Sequence, residues 1–296
     1  MNARQSPTRL VDIVDAGMAF EVVADGLLFT EGPLWDATRN RLLFSDIPGN
    51  TIYQWDEHAG LAPFRNPSNM ANGLTWDREG RLLACEHATS RVTRQEADGR
   101  LTVIAHALDG TALNSPNDIV VRSDGTIWFT DPTYGRSEYY GVPRAPELGF
   151  RGVYRVEPDS GRITAVANDF AQPNGLCFSA DERRLYVNDT ERMHIRAFEV
   201  HADGTLDQGR VWANVTGAGE GAPDGMKFDR EGHLYCCGPG GVHVFDEGAR
   251  PIGVIETPAP AANFTWGGAD LRSLYVTASA TVLRFSVRVP GRAHRS

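Results

Sequence analysis

Apolar and polar residues alternate in short runs along most of the chain, with the two-residue period of half-buried strands. Gly, Pro, Asn or Asp breaks each run after a few residues. The stretch 115–131 shows the unit. Ser115-Pro116-Asn117-Asp118 leads into Ile119-Val120-Val121, and Ile127-Trp128-Phe129-Thr130-Asp131 follows a polar break. The β-branched and aromatic residues suit strands. Between them Asp124-Gly125 predicts a two-residue hairpin turn, because Gly tolerates the positive φ that such turns need. An antiparallel hairpin brings its outer ends together, so Asn117 and Asp131 are expected on one edge.

The unit recurs. Further copies open with Glu31-Gly32-Pro33, Asn72-Gly73-Leu74, Asn174-Gly175-Leu176 and Asp224-Gly225-Met226, and a divergent one with Trp266-Gly267-Gly268. The first positions are 31, 72, 117, 174, 224 and 266, in steps of 41, 45, 57, 50 and 42 residues. A repeat of roughly 40–50 residues carrying about four strands has the size of a propeller blade. Six such repeats consume the chain, which predicts an all-β fold: one six-bladed β-propeller over residues 20–296, preceded by an N-terminal extension over residues 1–19. Helical repeats of similar period need long stretches at 3.6-residue periodicity, and 31 Gly and 17 Pro interrupt this chain too often for that. Phe20-Glu21-Val22-Val23 reads as a strand that closes the ring against the last blade.

Composition narrows the partners. A net charge of −9 argues against nucleic acid, whose phosphates select basic surfaces. Four cysteines, Cys85, Cys177, Cys236 and Cys237, show neither disulfide nor zinc spacing and read as reduced packing residues, the adjacent pair facing opposite sides of a strand. Met1 to Phe20 lacks the apolar run of a secretion signal or membrane span, so the expectation is a cytoplasmic protein with no membrane partner, monomeric or weakly dimeric.

The innermost strand of each propeller blade lines the central channel, so the repeated first position becomes a ring: Glu31, Asn72, Asn117, Asn174 and Asp224, with Trp266 breaking the pattern as a packing or wall residue. Two carboxylates and several amides converging there need a compensating cation. Their donors are hard oxygens, which suits one divalent ion, Ca²⁺ first and Mg²⁺ or Mn²⁺ next. No His or Cys belongs to the set, which places Zn²⁺ last. The channel is therefore expected to bind metal. By the hairpin geometry Glu86 and His87 return to the face of Asn72, and His87 is a candidate acid–base or substrate-binding group. The longest gap in the repeat starts at Asp131 on the same face. Its Tyr134, Arg136, Tyr139, Tyr140 and Arg144 give it the look of a binding loop, with Tyr134, Arg136 and Tyr139 placed to reach over the metal.

The segments Glu31-Gly32-Pro33, Ser115-Pro116-Asn117-Asp118, Pro173-Asn174-Gly175-Leu176, Pro223-Asp224-Gly225-Met226 and Phe264-Thr265-Trp266-Gly267-Gly268 resemble the gluconolactonase / senescence marker protein-30 (regucalcin) family, over about residues 20–285. Two departures bear on the substrate: Trp266 stands where Phe is usual, and the 132–151 insertion is shared with only part of the family. The resemblance implies one divalent metal in the channel and hydrolysis of sugar lactones. It implies Glu31, Asn174 and Asp224 as metal ligands, Asn117 holding metal or substrate, and Asp224 as the base. The base stays open among Asp224, His87 and a water activated by the metal. Two other functions remain: an esterase or organophosphate hydrolase on the same ring, and a non-catalytic propeller that binds calcium or a protein.

Overall fold

The repeated hairpins assemble into six four-stranded antiparallel sheets arranged in a ring, a six-bladed β-propeller. The structure, a computed structural model, describes residues 8–15 and 17–292. The innermost strands are Thr30–Asp36, Ala71–Trp76, Ile119–Val121, Pro173–Phe178, Met226–Phe228 and Ala261–Gly267. The second strands are Arg41–Asp46, Leu82–Glu86, Ile127–Asp131, Arg184–Asp189, Leu234–Gly238 and Ser273–Ala278. Glu21–Ala24 completes the sixth blade by pairing with Thr281–Ser286, so the ring is closed by a strand from the N-terminal side, as the sequence led us to expect. Within the predicted extension, Leu10–Ile13 forms one helical turn, and Ile13 and Val14 are buried in the core of the last two blades. Residues 1–7 and 16 of that extension, and 293–296 of the propeller's C-terminal end, lie outside the described residues.

Each blade is sandwiched between two neighbours, so both faces of its second strand are buried and the strand reads as a continuous apolar run. Trp128 and Phe129 are adjacent and point to opposite faces. Trp128 packs with Leu176, Val187 and Phe198 of the fourth blade, and Phe129 with Leu83, Cys85 and Val92 of the second. Cys236 and Cys237 divide the same way, the first toward Cys177 and Tyr186, the second toward Phe264 and Trp266. All four cysteines are free and buried.

Two expectations are corrected here. Residues Ser123 to Gly125 form a three-residue loop, closed by hydrogen bonds from Arg122 N to Thr126 O at 3.0 Å and from Gly125 N to Arg122 O at 2.9 Å. Gly125 takes φ +85° as its last residue, the left-handed position of such loops. The first position of the sixth blade is Ala262, not Trp266. A register shift falls at the first position in the inner strands of four blades, between Glu31/Leu34, Ala71/Leu74, Pro173/Leu176 and Ala261/Asn263. Gly225 N reaches Ala262 O at 2.8 Å, as Gly73 N reaches Asn117 O at 2.8 Å. Trp266 is a core residue, edge-on to Tyr235 and Phe264 with centroids 5.1 and 5.4 Å away.

The acidic ends of three second strands hold the chain that enters the blade. Asp46 accepts from Phe29 N (3.0 Å), Asp131 from Ser115 N and Asn114 N (2.7 and 2.8 Å), and Asp189 from Ala171 N and Gln172 N (2.8 and 3.1 Å). Asp131 therefore lies on the edge of Asn117 but serves the backbone. Asp131→Ala leaves two buried amides without acceptors and should lower the unfolding free energy by roughly 2–4 kcal/mol in urea titration. Exposed Asp159→Ala should change it by less than about 0.5 kcal/mol.

Candidate active site in the propeller channel

The register shift at the first position of four blades is a bulge, and a bulge re-aims a side chain out of the sheet pattern. In this ring it sends Glu31, Asn72 and Asn174 into a common pocket, where Asn117 and Asp224 join them from just before the short inner strands. The residue after the first position explains the tightness. A Cβ on Gly32, Gly73 or Gly175 would fall on the carbonyl oxygen of Asn72, Asn117 or Asp224 in the next blade, closer than real contacts allow. Glycine is the residue that lets the blades meet there.

The pocket has a volume of about 150 Å³, with Phe29, Ile47, Tyr134 and Tyr140 as its apolar wall and His87 and Thr190 completing the polar side. Asn174 Nδ2 donates to Thr190 Oγ1 at 3.1 Å, and that hydroxyl donates its single proton to Pro223 O at 2.7 Å. The amide orientation is thereby fixed, and Asn174 Oδ1 is buried with no donor. Glu31 Oε2 accepts from Gly32 N at 2.7 Å and Asn263 Nδ2 at 3.1 Å. Burial raises the Glu31 carboxyl to about 7, with Asp118 adding to the rise. Burial also raises Asp224 well above the usual carboxylate range, helped by the charges of Glu31 and Asp118. Among the described residues no three His, Cys, Asp or Glu side chains form a metal-holding group. The donor set here is two carboxylates and an amide oxygen. An orphaned oxygen beside two carboxyls that resist ionisation fits a hard divalent cation.

His87 sits where the hairpin geometry led. Its Nδ1 donates to Tyr140 O at 2.8 Å, since a carbonyl can only accept, so Nε2 is the acceptor toward Asn72 Nδ2 at 3.3 Å. Burial lowers its pKa to about 4, so at neutral pH it is an uncharged imidazole. Glu86 turns the other way, to Thr89, Arg91 and Thr93 of its own blade.

The long loop does reach the site, with a different set of residues. Tyr134 and Tyr140 line the pocket. Tyr140 meets Phe29 edge-on at 5.0 Å, and Arg144 Nη1 donates to Ala88 O at 3.1 Å, so the loop crosses from the third blade over the second to the first. Arg136 is a correction: its guanidinium donates to Leu113 O, is buried, and does not line the pocket. Its position follows from the single 3₁₀ turn Tyr134–Arg136, which sends the side chains two apart to different sides. Tyr139 also points away, its hydroxyl on Leu28 O at 3.2 Å. Sequence reasoning missed Asp118, Asn263 and Lys227. They surround the ring from behind, Asn263 bridging Lys227 Nζ at 2.6 Å and Glu31. The signal was the place after the first position, where Asp118 and Asn263 replace the Gly of the other four blades.

Fold and site together define a propeller whose channel carries a buried, acidic, oxygen-rich pocket under a tyrosine loop. The chain belongs to the family described as SMP-30/Gluconolactonase/LRE-like region, whose model matches residues 29–280. It is 30% identical to a gluconolactonase of Zymomonas mobilis, covering 96% of this chain and 85% of that one. It is 27% identical to a pentonolactonase of Haloferax volcanii, covering 83% and 80%. A solved gluconolactonase from Xanthomonas campestris superposes with TM-score 0.87 at 34% identity over 95% of each chain.

A proton-linked stability follows from Glu31. Its folded-state pKa is raised from 4.5 to about 7, so its contribution to stability is complete below the unfolded value and is lost as pH rises through neutrality. The melting temperature of chelator-treated protein should therefore fall between about pH 5 and about pH 8, and Glu31→Gln should flatten that fall.

Proposed function

We propose that this chain is a lactonase that hydrolyses a neutral, hydroxylated sugar lactone at the channel pocket with one divalent ion, Ca²⁺ first among the candidates. The observation that carries the reading is the unpaired Asn174 Oδ1 beside the buried carboxyls of Glu31 and Asp224. Family membership and the lactonase relatives support the reaction class. Glu31, Asn174 and Asp224 would hold the ion, and Asn117 would serve the ion or the substrate. When bound, the ion supplies positive charge to offset what develops on the lactone carbonyl oxygen.

The rest falls to the chain's own groups. Water adds to the carbonyl carbon and gives its proton to Asp224. The ring C–O bond then breaks, and the departing oxygen takes that proton back from Asp224, which leaves a hydroxy acid and the carboxylate as it began. Asp224 is favoured as the base over His87, because Asn72 Nδ2 occupies the His87 lone pair at 3.3 Å and burial lowers the His87 pKa to about 4. Tyr134 and Tyr140 give faces for a sugar ring, and Asn72, Asn117 and Thr190 give hydrogen-bonding groups for its hydroxyls. No Arg or Lys stands among the described residues that line the pocket, which favours an uncharged lactone over a phosphorylated one.

Chelation should abolish lactone hydrolysis and Ca²⁺ should restore it, measured by proton release with spontaneous ring opening subtracted; full activity in metal-free protein would sink the metal. Asp224→Asn should lower kcat/KM by about 100-fold or more without lowering the melting temperature, and Asn72→Ala should cost less. D-glucono-1,5-lactone should exceed δ-valerolactone by about tenfold or more in kcat/KM, a difference of about 1.4 kcal/mol. Equal rates on the two would favour a general esterase.

A further inference from the structure

Lys227 is the only lysine in a chain with 29 basic residues, and it is on an inner strand behind the ring rather than on the surface of an outer blade. Its ammonium donates to Asn263 Oδ1 at 2.6 Å, and Phe264 N donates to the same oxygen at 2.9 Å. An ammonium and a backbone N–H can only donate, so Oδ1 must face them and Nδ2 must face the other way. Nδ2 then meets Glu31 Oε2 at 3.1 Å, where Gly32 N also donates at 2.7 Å. With Oε2 taken by two donors, Glu31 has Oε1 left to offer to the pocket.

We propose that Asn263, with its amide direction set by Lys227, is a positioning residue that holds Glu31 with one oxygen turned to the cation site. The proposal rests on the metal reading above and adds to it two residues that line no part of the pocket. It also gives a sign that charge alone would not. Lys227 is a cation near a cation site, so if charge dominated, its removal would tighten divalent binding. If orientation dominates, removal leaves Phe264 N as the one donor to Asn263 Oδ1, the amide is held less firmly against Glu31, and binding weakens. The directed bonds that run from Lys227 through Asn263 to Glu31, at 2.6 and 3.1 Å, favour orientation.

The test is calorimetric titration of the chelator-stripped protein with Ca²⁺, repeated with Mg²⁺ and Mn²⁺. Asn263→Leu and Lys227→Met, both close in volume to the originals, should each weaken Kd by about 10- to 100-fold, the usual loss when a group orienting a ligand is removed. Lys227→Arg should stay within about threefold of wild type, because a guanidinium also only donates. The double variant should bind no more weakly than Asn263→Leu alone, because Lys227 acts through that amide. Wild-type affinity in Asn263→Leu, or unchanged or tighter binding in Lys227→Met, overturns the proposal. Thermal melts separate misfolding from lost binding, and Lys227→Met keeps the test decisive if Asn263→Leu does not fold. Wild-type protein that binds none of the three ions would instead sink the metal reading itself, and this proposal with it.

Discussion

Six sheets converge on one axis, and where their inner strands come closest there is no room for a side chain between one blade and the carbonyl of the next. Much of the site can be traced to that crowding. Gly32, Gly73 and Gly175 occupy the tight places because a Cβ would strike the Asn72, Asn117 or Asp224 oxygen. The bulges beside them turn the preceding side chains out of the sheet and into a shared space. Ser45 Oγ on Asn72 O at 2.8 Å and Asn188 Nδ2 on Asp224 O fix the carbonyls, so the side chains are what remain free to face the pocket.

Crowding also forces chemistry. Glu31, Asp118 and Asp224 share a poorly solvated volume, and each has its carboxyl raised, burial being the leading cause and mutual repulsion adding for Glu31 and Asp224. The chain's own answers are partial. Lys227 lowers Glu31 and Asp118, and Asp118 draws backbone donors from Ile119 and Leu176. The carboxyls stay reluctant to ionise and the Asn174 amide oxygen has no donor, the situation that the proposed cation would relieve. The same burial that raises Asp224 holds His87 neutral between Asn72 and the Tyr140 carbonyl.

The loop over the site depends on the same face. Gly135 packs against His87 and Ser115 where a Cβ would not fit, and Val142 N returns to Gly135 O at 3.0 Å. The loop is thus tied to the pocket floor at its start and to the first and second blades at its far side. Tyr134 and Tyr140 face inward because the turn between them is pinned, whereas Arg136 and Tyr139 are drawn to the carbonyls of Leu113 and Leu28.

The repeat alone determined the six blades, the closing strand before Glu31 and five members of the ring, because the two-residue period and a fixed blade length convert sequence spacing into position around an axis. Opposite facing of Cys236 and Cys237 followed from the same period. Three-dimensional packing decided the rest. The sixth ring position is Ala262 because a bulge shifts register there, and a sequence count cannot see an unpaired residue in a ladder. Arg136 left the site and Tyr140 entered it because loop side chains go where carbonyls and rings await them, and those partners lie in other blades. Asp118, Lys227 and Asn263 are separated by as many as 145 positions and become one cluster only when the channel closes. Their mutual fields, which set the proton affinity of Glu31 and Asp224, arise from distance and burial, and neither exists until the ring is formed.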